Sequence, residues 1–228
     1  MTPETLAALT AARAAKRPVV LATLLSDGSQ MLLPDPAQSE ALNAAATQAL
    51  DRDESGTVTI EGADLFLHAY APPIRLVIVG AVHIAQSLVP MASYLGVSVI
   101  VVDPRRSFAT EERFPNVVLM DDWPDEAMDI IAPDSRTAVI TLTHDPKLDD
   151  PALDRALRSD AFYIGSLGSR KTHTKRLERL RELGHDDAAL ARIRGPVGLN
   201  IGAITAPEIA LSILGEFVAV RRNAERPK

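Results

Sequence analysis

Three short stretches of this chain gather the residue types that hold or transform a small ligand. Gly80-Ala81-Val82-His83-Ile84-Ala85 keeps the first and last positions of a G-x-G-x-x-A strand-to-helix turn. Val82 stands where the second glycine would let the backbone approach a pyrophosphate. Asp103 follows 23 residues after Gly80, where an acidic residue receives a ribose diol, and Arg105 and Arg106 beside it suit a phosphate. His83 lies next to a helix start, whose dipole favours a neutral imidazole. In Gly165-Ser166-Leu167-Gly168-Ser169-Arg170, glycines, hydroxyls and backbone N–H groups converge on a helix beginning at Lys171, which makes an anion nest. Thr143-His144-Asp145, with Asp149 and Asp150 behind, sets an imidazole and a carboxylate at the end of an apolar run. His83, His144 and Asp145 are thus the weak candidates for proton transfer. A fourth stretch, Pro196 to Ala203 with Gly198 and Asn200, must bend tightly near the same edge.

Each stretch also has a plainer explanation. The first could be a tight connection without ligand, and the charges of Lys171, Lys175, Arg176, Arg179 and Arg181 an ordinary solvated helix face. Asp150 reads as a helix cap, and Thr205 or Ala206 as the cap before Pro207. With no H-x-x-x-H pairing, no metal site is expected. Neither a G-x-S-x-G elbow nor a P-loop is present.

Loops of this kind need a rigid frame, and the patterning supplies one. After Pro72-Pro73, runs that are apolar on nearly every residue alternate with amphipathic segments, as in a parallel sheet covered on both faces. Strands are predicted at Ile74 to Val79, Val97 to Val102, Val117 to Met120, Thr137 to Thr143 and Ala161 to Ile164. Ile84, Leu88, Met91, Ala92 and Leu95 form one helical stripe, closed by Gly96. Further helices are predicted from Pro151 behind its Asp150 cap, over Lys171 to Leu183, over Asp187 to Ile193, and from Pro207 onward. The last would turn Ile209, Leu211, Ile213, Leu214 and Val218 to the core. Residues 72–228 therefore read as an α/β, Rossmann-like, doubly wound parallel sheet. Residues 1–71 read as a small α+β unit, with helices at Pro3 to Ala15 and Ser39 to Leu50. Its strands fall at Pro18 to Leu25, Thr57 to Ile60 and Asp64 to Tyr70, with turns at Asp27-Gly28 and Glu61-Gly62.

Composition narrows the function. The 228 residues are 46% hydrophobic but only 4% aromatic, and carry a net charge of −6. This disfavours stacking on bases or attraction to a phosphate polymer, so no nucleic-acid partner is expected. The absence of cysteine excludes disulfides, thiolate metal sites, a thiol nucleophile and a protein persulfide. No stretch approaches 18 consecutive apolar residues, so neither membrane insertion nor a signal segment is expected, and the chain reads as cytoplasmic.

The series GAVHIAQSLVP, VIVVDPR, ERFPN, TLTHD, AFYIGSLGSRKT, ARIRGPVGLNIGA and PEIALSILGEFVAVRR, in this order, resembles the XdhC/CoxI family from Pro72 to Arg222. The resemblance implies an accessory protein of molybdenum hydroxylases such as xanthine dehydrogenase, aldehyde oxidoreductases and carbon monoxide dehydrogenase. It implies binding of molybdenum cofactor (molybdopterin, in mono- or dinucleotide form) while a cysteine desulfurase supplies the sulfido ligand, then delivery to the apoenzyme. The cofactor's phosphate would sit in the Gly165 to Arg170 nest and at the Lys171 helix start. Gly80, Ala81, Val82, His83, Asp103, Arg105, Thr143, His144, Gly198 and Asn200 complete the expected binding residues. Three features depart from the family pattern: Val82 replaces the glycine of G-A-G-H, Asn200 replaces the aspartate of G-L-D-I-G, and the N-terminal unit lacks G-S-x-P-R and G-G-G-x-x-E. Without cysteine the chain would present the cofactor to a sulfur donor rather than relay sulfur itself. A homodimer is a further expectation. The alternatives are an NAD(P)-dependent oxidoreductase, resting on the dinucleotide outline and Asp103, and a ligand-free regulatory or scaffolding relative.

Overall fold

The computed structural model describes residues 1–222 and divides into two compact units, Met1–Pro72 and the chain from Pro73. The first unit has four strands, β1 (Val19–Leu24), β2 (Gln30–Leu33), β3 (Gly56–Ile60) and β4 (Ala63–Tyr70), in the antiparallel order β2-β1-β4-β3. Helix α1 (Pro3–Ala14) starts at Thr2, whose side chain accepts from the Thr5 amide. Helix α2 (Glu40–Arg52) starts in the same way at Ser39, which accepts from Leu42. Val20, Ala22, Leu65 and Leu67 on the strands pack with Leu42 and Ala46 of α2. After the expected turn at Asp27-Gly28 comes strand β2, which the patterning does not predict. It pairs with β1 from Gln30 opposite Thr23 to Leu33 opposite Val20.

The second unit is a six-stranded parallel sheet. Its strands are β5 (Arg75–Val79), β6 (Ser98–Val102), β7 (Val118–Met120), β8 (Thr137–Thr141), β9 (Tyr163–Ser166) and β10 (Ile193–Arg194), in the order β10-β9-β8-β5-β6-β7. The chain winds outward from β5 to β7, then returns to β8 on the other side and winds outward again. The carboxyl ends of β5 and β8 therefore flank the topological switch point, where ligands of open α/β sheets bind. All five residues of β8, and four of five in β5, are buried, which is why these runs show no alternation. Helices α3 (His83–Tyr94) and α8 (Ala206–Arg221) pack with one sheet face through Leu88, Ala92, Ala210, Ile213 and Phe217. Helices α4 (Pro124–Ile131), α5 (Pro146–Leu157) and α6 (Arg170–Glu182) cover the other through Met128, Leu153, Ala156 and Leu180. The short α7 (Asp187–Leu190) links α6 to β10.

Several expected boundaries move. Helix α5 starts at Pro146 with Asp145 as its cap, accepting from the Lys147 amide at 3.0 Å. Pro151 lies inside that helix, and Asp150 is no cap. Ile193 belongs to β10, not to the helix before it. Ala161 precedes β9, which runs on to Ser166. On α8, Ile213 and Leu214 are buried as expected, but Leu211 and Val218 are exposed. Ala210, Ser212, Glu216 and Phe217 occupy the inner face in their place. The cap of α8 is Thr205, whose amide donates to Glu208 at 2.8 Å.

Candidate functional site

The carboxyl edge of the parallel sheet carries two constellations with different characters. At the switch point, Gly80 directly follows β5 with φ +113°, and a Cβ there would lie 2.5 Å from Thr143 Cγ2. Glycine is required on both counts, because the loops after β5 and β8 touch at this residue. Val82 is the N-cap of α3 at φ −92° and ψ 175°, extended backbone that a β-branched residue adopts freely. It packs against the core while its neighbour His83, first residue of α3, faces solvent.

Asp103, expected to receive a ribose, is fully buried and already engaged. It accepts from the Ala81 amide at 2.9 Å and the Arg105 amide at 3.0 Å. The Arg105 guanidinium adds bonds from Nε at 2.8 Å and Nη2 at 2.7 Å. Burial by itself raises the Asp103 pKa, but the Arg105 guanidinium and the Ala81 amide together hold it below the usual carboxylate value. Arg105 in turn lies over the Phe108 ring at 4.4 Å. The aspartate thus ties the turn after β5 to the loop after β6, using acceptors that a ribose would need.

The second constellation lies between the starts of α5 and α6. Thr143 Oγ1 donates to Asp149 Oδ1 at 2.7 Å and accepts from the Asp145 amide at 3.0 Å. His144, between them, takes a left-handed φ of +63° and is exposed. Asp149 Oδ2 lies 3.4 Å from Arg176 Nη2, which also donates to the Leu167 carbonyl at 3.0 Å. Both partners are buried, with side chains 2% and 1% exposed for Arg176 and Asp149. Burial raises the Asp149 pKa against the pull of Thr143 and Arg176, and lowers that of Arg176, whose guanidinium stays charged. Arg176 Nε and Nη1 are buried without a hydrogen-bond partner among the described residues. Arg179 forms a fork with Asp150 at 2.5 and 2.9 Å. A cavity of about 200 Å³ is lined by His144, Asp149, Lys171, Lys175, Arg176 and Arg179 with Pro146 and Thr172.

The Gly-Ser segment is more committed than its composition suggests. Gly165 and Ser166 are the last residues of β9. A Cβ on Gly165 would meet Val197, and Ser166 Oγ bonds Thr141 Oγ1 at 2.5 Å in the core. Ser169 caps α6 by accepting from the Thr172 amide at 3.1 Å. The loop proper is Leu167-Gly168, with Gly168 at φ +143° against Thr172. Arg170 and Lys171, on the first turn of α6, are exposed. Farther along the edge, Gly198 at φ +103° donates to Glu216 Oε2 at 3.0 Å, and Tyr163 donates to the same oxygen at 2.9 Å. This buried carboxylate anchors the bend after Pro196, whereas Asn200 is exposed beyond it.

Of the expected binding residues, the fold therefore brings His144 and Lys171 to one cavity, with Thr143 behind it, bonded to Asp149. Gly80, Ala81, Asp103 and Arg105 form a separate, closed turn. Asp149, Thr172, Lys175 and Arg176 join the cavity although sequence reasoning left them out of the binding set. A signal for Arg176 exists: it precedes Leu180 by four residues, so it occupies the inward stripe of an amphipathic helix. Among the described residues no three of His, Asp and Glu converge as metal ligands would. Nor is any described helix long and apolar enough to cross a membrane.

Comparison with known proteins adds to this geometry. Residues 76–217 match the family model of the XdhC Rossmann domain. The chain belongs to the XdhC family. Among its relatives, the Escherichia coli K12 protein YqeB, itself uncharacterized, is 33% identical over 165 residues, covering 70% of this chain and 30% of YqeB. The molybdenum cofactor insertion chaperone PaoD of the same organism is 45% identical over 92 residues, 40% of this chain and 29% of PaoD. A protein of Bacillus subtilis 168 described as a probable xanthine dehydrogenase subunit is 29% identical over 161 residues, 70% of this chain and 47% of that protein. The chain thus spans less than half the length of these curated relatives. A crystal structure described as a xanthine dehydrogenase from Bacillus halodurans superposes with a TM-score of 0.67 at 25% identity, covering 93% of this chain and 62% of that one.

Proposed function

We propose that this XdhC-family chain binds molybdenum cofactor and assists its sulfuration and insertion into a molybdenum hydroxylase, of xanthine dehydrogenase or carbon monoxide dehydrogenase type. The observation that carries this reading is the 45% identity with the insertion chaperone PaoD. The cavity supports it: two lysines and a buried guanidinium with unmet donors face one space in a chain of net charge −6. Such groups fit the anionic end of a pterin cofactor carried as cargo. The residues supply binding groups rather than a nucleophile and base, so the role is that of a chaperone. With no cysteine in the chain, a cysteine desulfurase would pass sulfur directly to the held cofactor, and the apoenzyme would be the second partner. A cytoplasmic setting agrees with this role, and a homodimer is compatible with it. The oxidoreductase alternative draws less support, because Asp103 is engaged by Ala81 and Arg105.

Purification from a cell that makes molybdenum cofactor, followed by assay of released pterin and molybdenum, tests the proposal. Cofactor should co-purify, and adding the loaded protein and a desulfurase to apoenzyme should restore client activity. Protein devoid of pterin that instead oxidises NAD(P)H at ordinary enzyme rates would overturn it.

A further inference from the structure

We propose that the cavity between the starts of α5 and α6 is a receptor for a phosphomonoester, with Arg176 at its base and Lys171 and Lys175 at its rim. The inference rests on the cofactor-carrier reading for the identity of the natural ligand. It takes the phosphate expected at the Gly165 to Arg170 loop and the Lys171 helix start and moves it off that loop, into the cavity that Arg176 and Lys175 line with Lys171.

Arg179 is matched by Asp150 through two hydrogen bonds. Asp149 spends one oxygen on Thr143 and the other on Arg176 Nη2. Lys171 and Lys175 enter no ion pair among the described residues, so the lining keeps positive charge in excess. Arg176 supplies the second, independent observation. Its side chain is 2% exposed, yet Nε and Nη1 find no acceptor, an arrangement that is costly unless a ligand receives them. A planar guanidinium matches the oxygens of a phosphate, and the ammonium groups add point charges. The first turn of α6 brings unpaired backbone N–H groups and the positive end of the helix dipole to the same side. At about 200 Å³, the space is smaller than the ~300–1,000 Å³ of pockets that enclose whole ligands. It accommodates one group of a larger molecule. By contrast, the hydroxyls of Ser166 and Ser169 are spent on Thr141 and on capping α6.

The test is calorimetric titration of the full chain at fixed ionic strength with inorganic phosphate, methyl phosphate and acetate. Phosphate and methyl phosphate should bind saturably with similar affinity, and acetate should not bind. The double change Lys171→Ala with Lys175→Ala should weaken both at least tenfold while leaving the melting temperature unaltered, since both side chains are exposed. Arg176→Lys, where it folds, should do the same. No saturable phosphate binding, equal affinity in the lysine double variant, or equal binding of acetate would overturn the assignment. So would exclusion of methyl phosphate alone, which would mark a free-ion site. Pterin retention, measured separately, keeps the two readings apart. Pterin retained without phosphate binding removes the cavity assignment but leaves the chaperone, and phosphate bound without pterin does the reverse.

Discussion

Replacing Asp103 by asparagine separates a structural clasp from a ligand site. The carboxylate accepts four hydrogen bonds, two of them from a guanidinium, while fully buried. Hydrogen bonds to charged groups contribute roughly 1.5–3 kcal/mol each, but losses overlap when one group makes several. The Arg105 side chain is 40% exposed, so water recovers part of what it loses. The carbonyl oxygen of the substituted amide can still accept from Ala81, whereas its NH₂ group confronts the guanidinium, donor against donor. The net cost should be ~2–3 kcal/mol, or about 5–10 °C in melting temperature for a unit of this size. Because the folded carboxyl titrates below its ordinary value, its contribution is full above the unfolded pKa of about 3.9 and fades as pH falls through the folded one. Urea unfolding followed by circular dichroism from neutral to acidic pH should show the deficit of Asp103→Asn at neutrality closing on acidification. A deficit below ~0.5 kcal/mol at neutral pH, or one undiminished in acid, would refute the clasp. Loss of dinucleotide binding at unchanged stability would restore the ribose role.

Gly80→Ala should cost ~2–4 kcal/mol, since it combines positive φ with overlap on Thr143. Gly28→Ala, at φ +74° in open space, should cost only ~1–2 kcal/mol in the same urea assay. Tyr163→Phe removes a buried donor to Glu216 and should destabilise by ~1–2 kcal/mol, with faster proteolysis around the bend after Pro196. NAD and NADP should show no binding at ~1 mM by fluorescence titration. Val82→Gly alone should not change this while Asp103 remains bonded to Arg105; micromolar affinity in either protein would contradict the closed turn.

Legibility in the sequence follows the range of the interactions involved. Strands β5 and β8 are unbroken apolar runs, and Gly80 announces itself by position, so the sheet and its switch point are readable locally. The start of α5 is not, because Asp-Pro occurs twice between β8 and β9, at Asp145-Pro146 and Asp150-Pro151. Either pair has the chemistry of a cap followed by N1. What decides between them is Arg179, which claims Asp150 from 29 residues away. Helix α4 has a proline start and an acidic first turn, yet its short stripe of Ala127, Met128 and Ile131 lies between loops and passes for connection. Strand β10 has two residues, below any periodicity. The cavity escapes for the same reason as Asp150: spacing from Leu180 turns Arg176 inward, but its meeting with Asp149 depends on a contact 27 residues away.

The extent of the sheet's margins bears on how copies of this chain can meet. The outermost strands β7 and β10 have three and two residues, whereas the inner ones have four or five. A margin so short offers few free amides and carbonyls in register, so a second molecule gains little by extending the sheet edge to edge. The long inner strands, with their nearly continuous aliphatic runs, are shielded from intermolecular templating on both flanks. A second copy meeting the parallel unit would therefore have to use side-chain surfaces of helices and loops, where specificity can be set residue by residue.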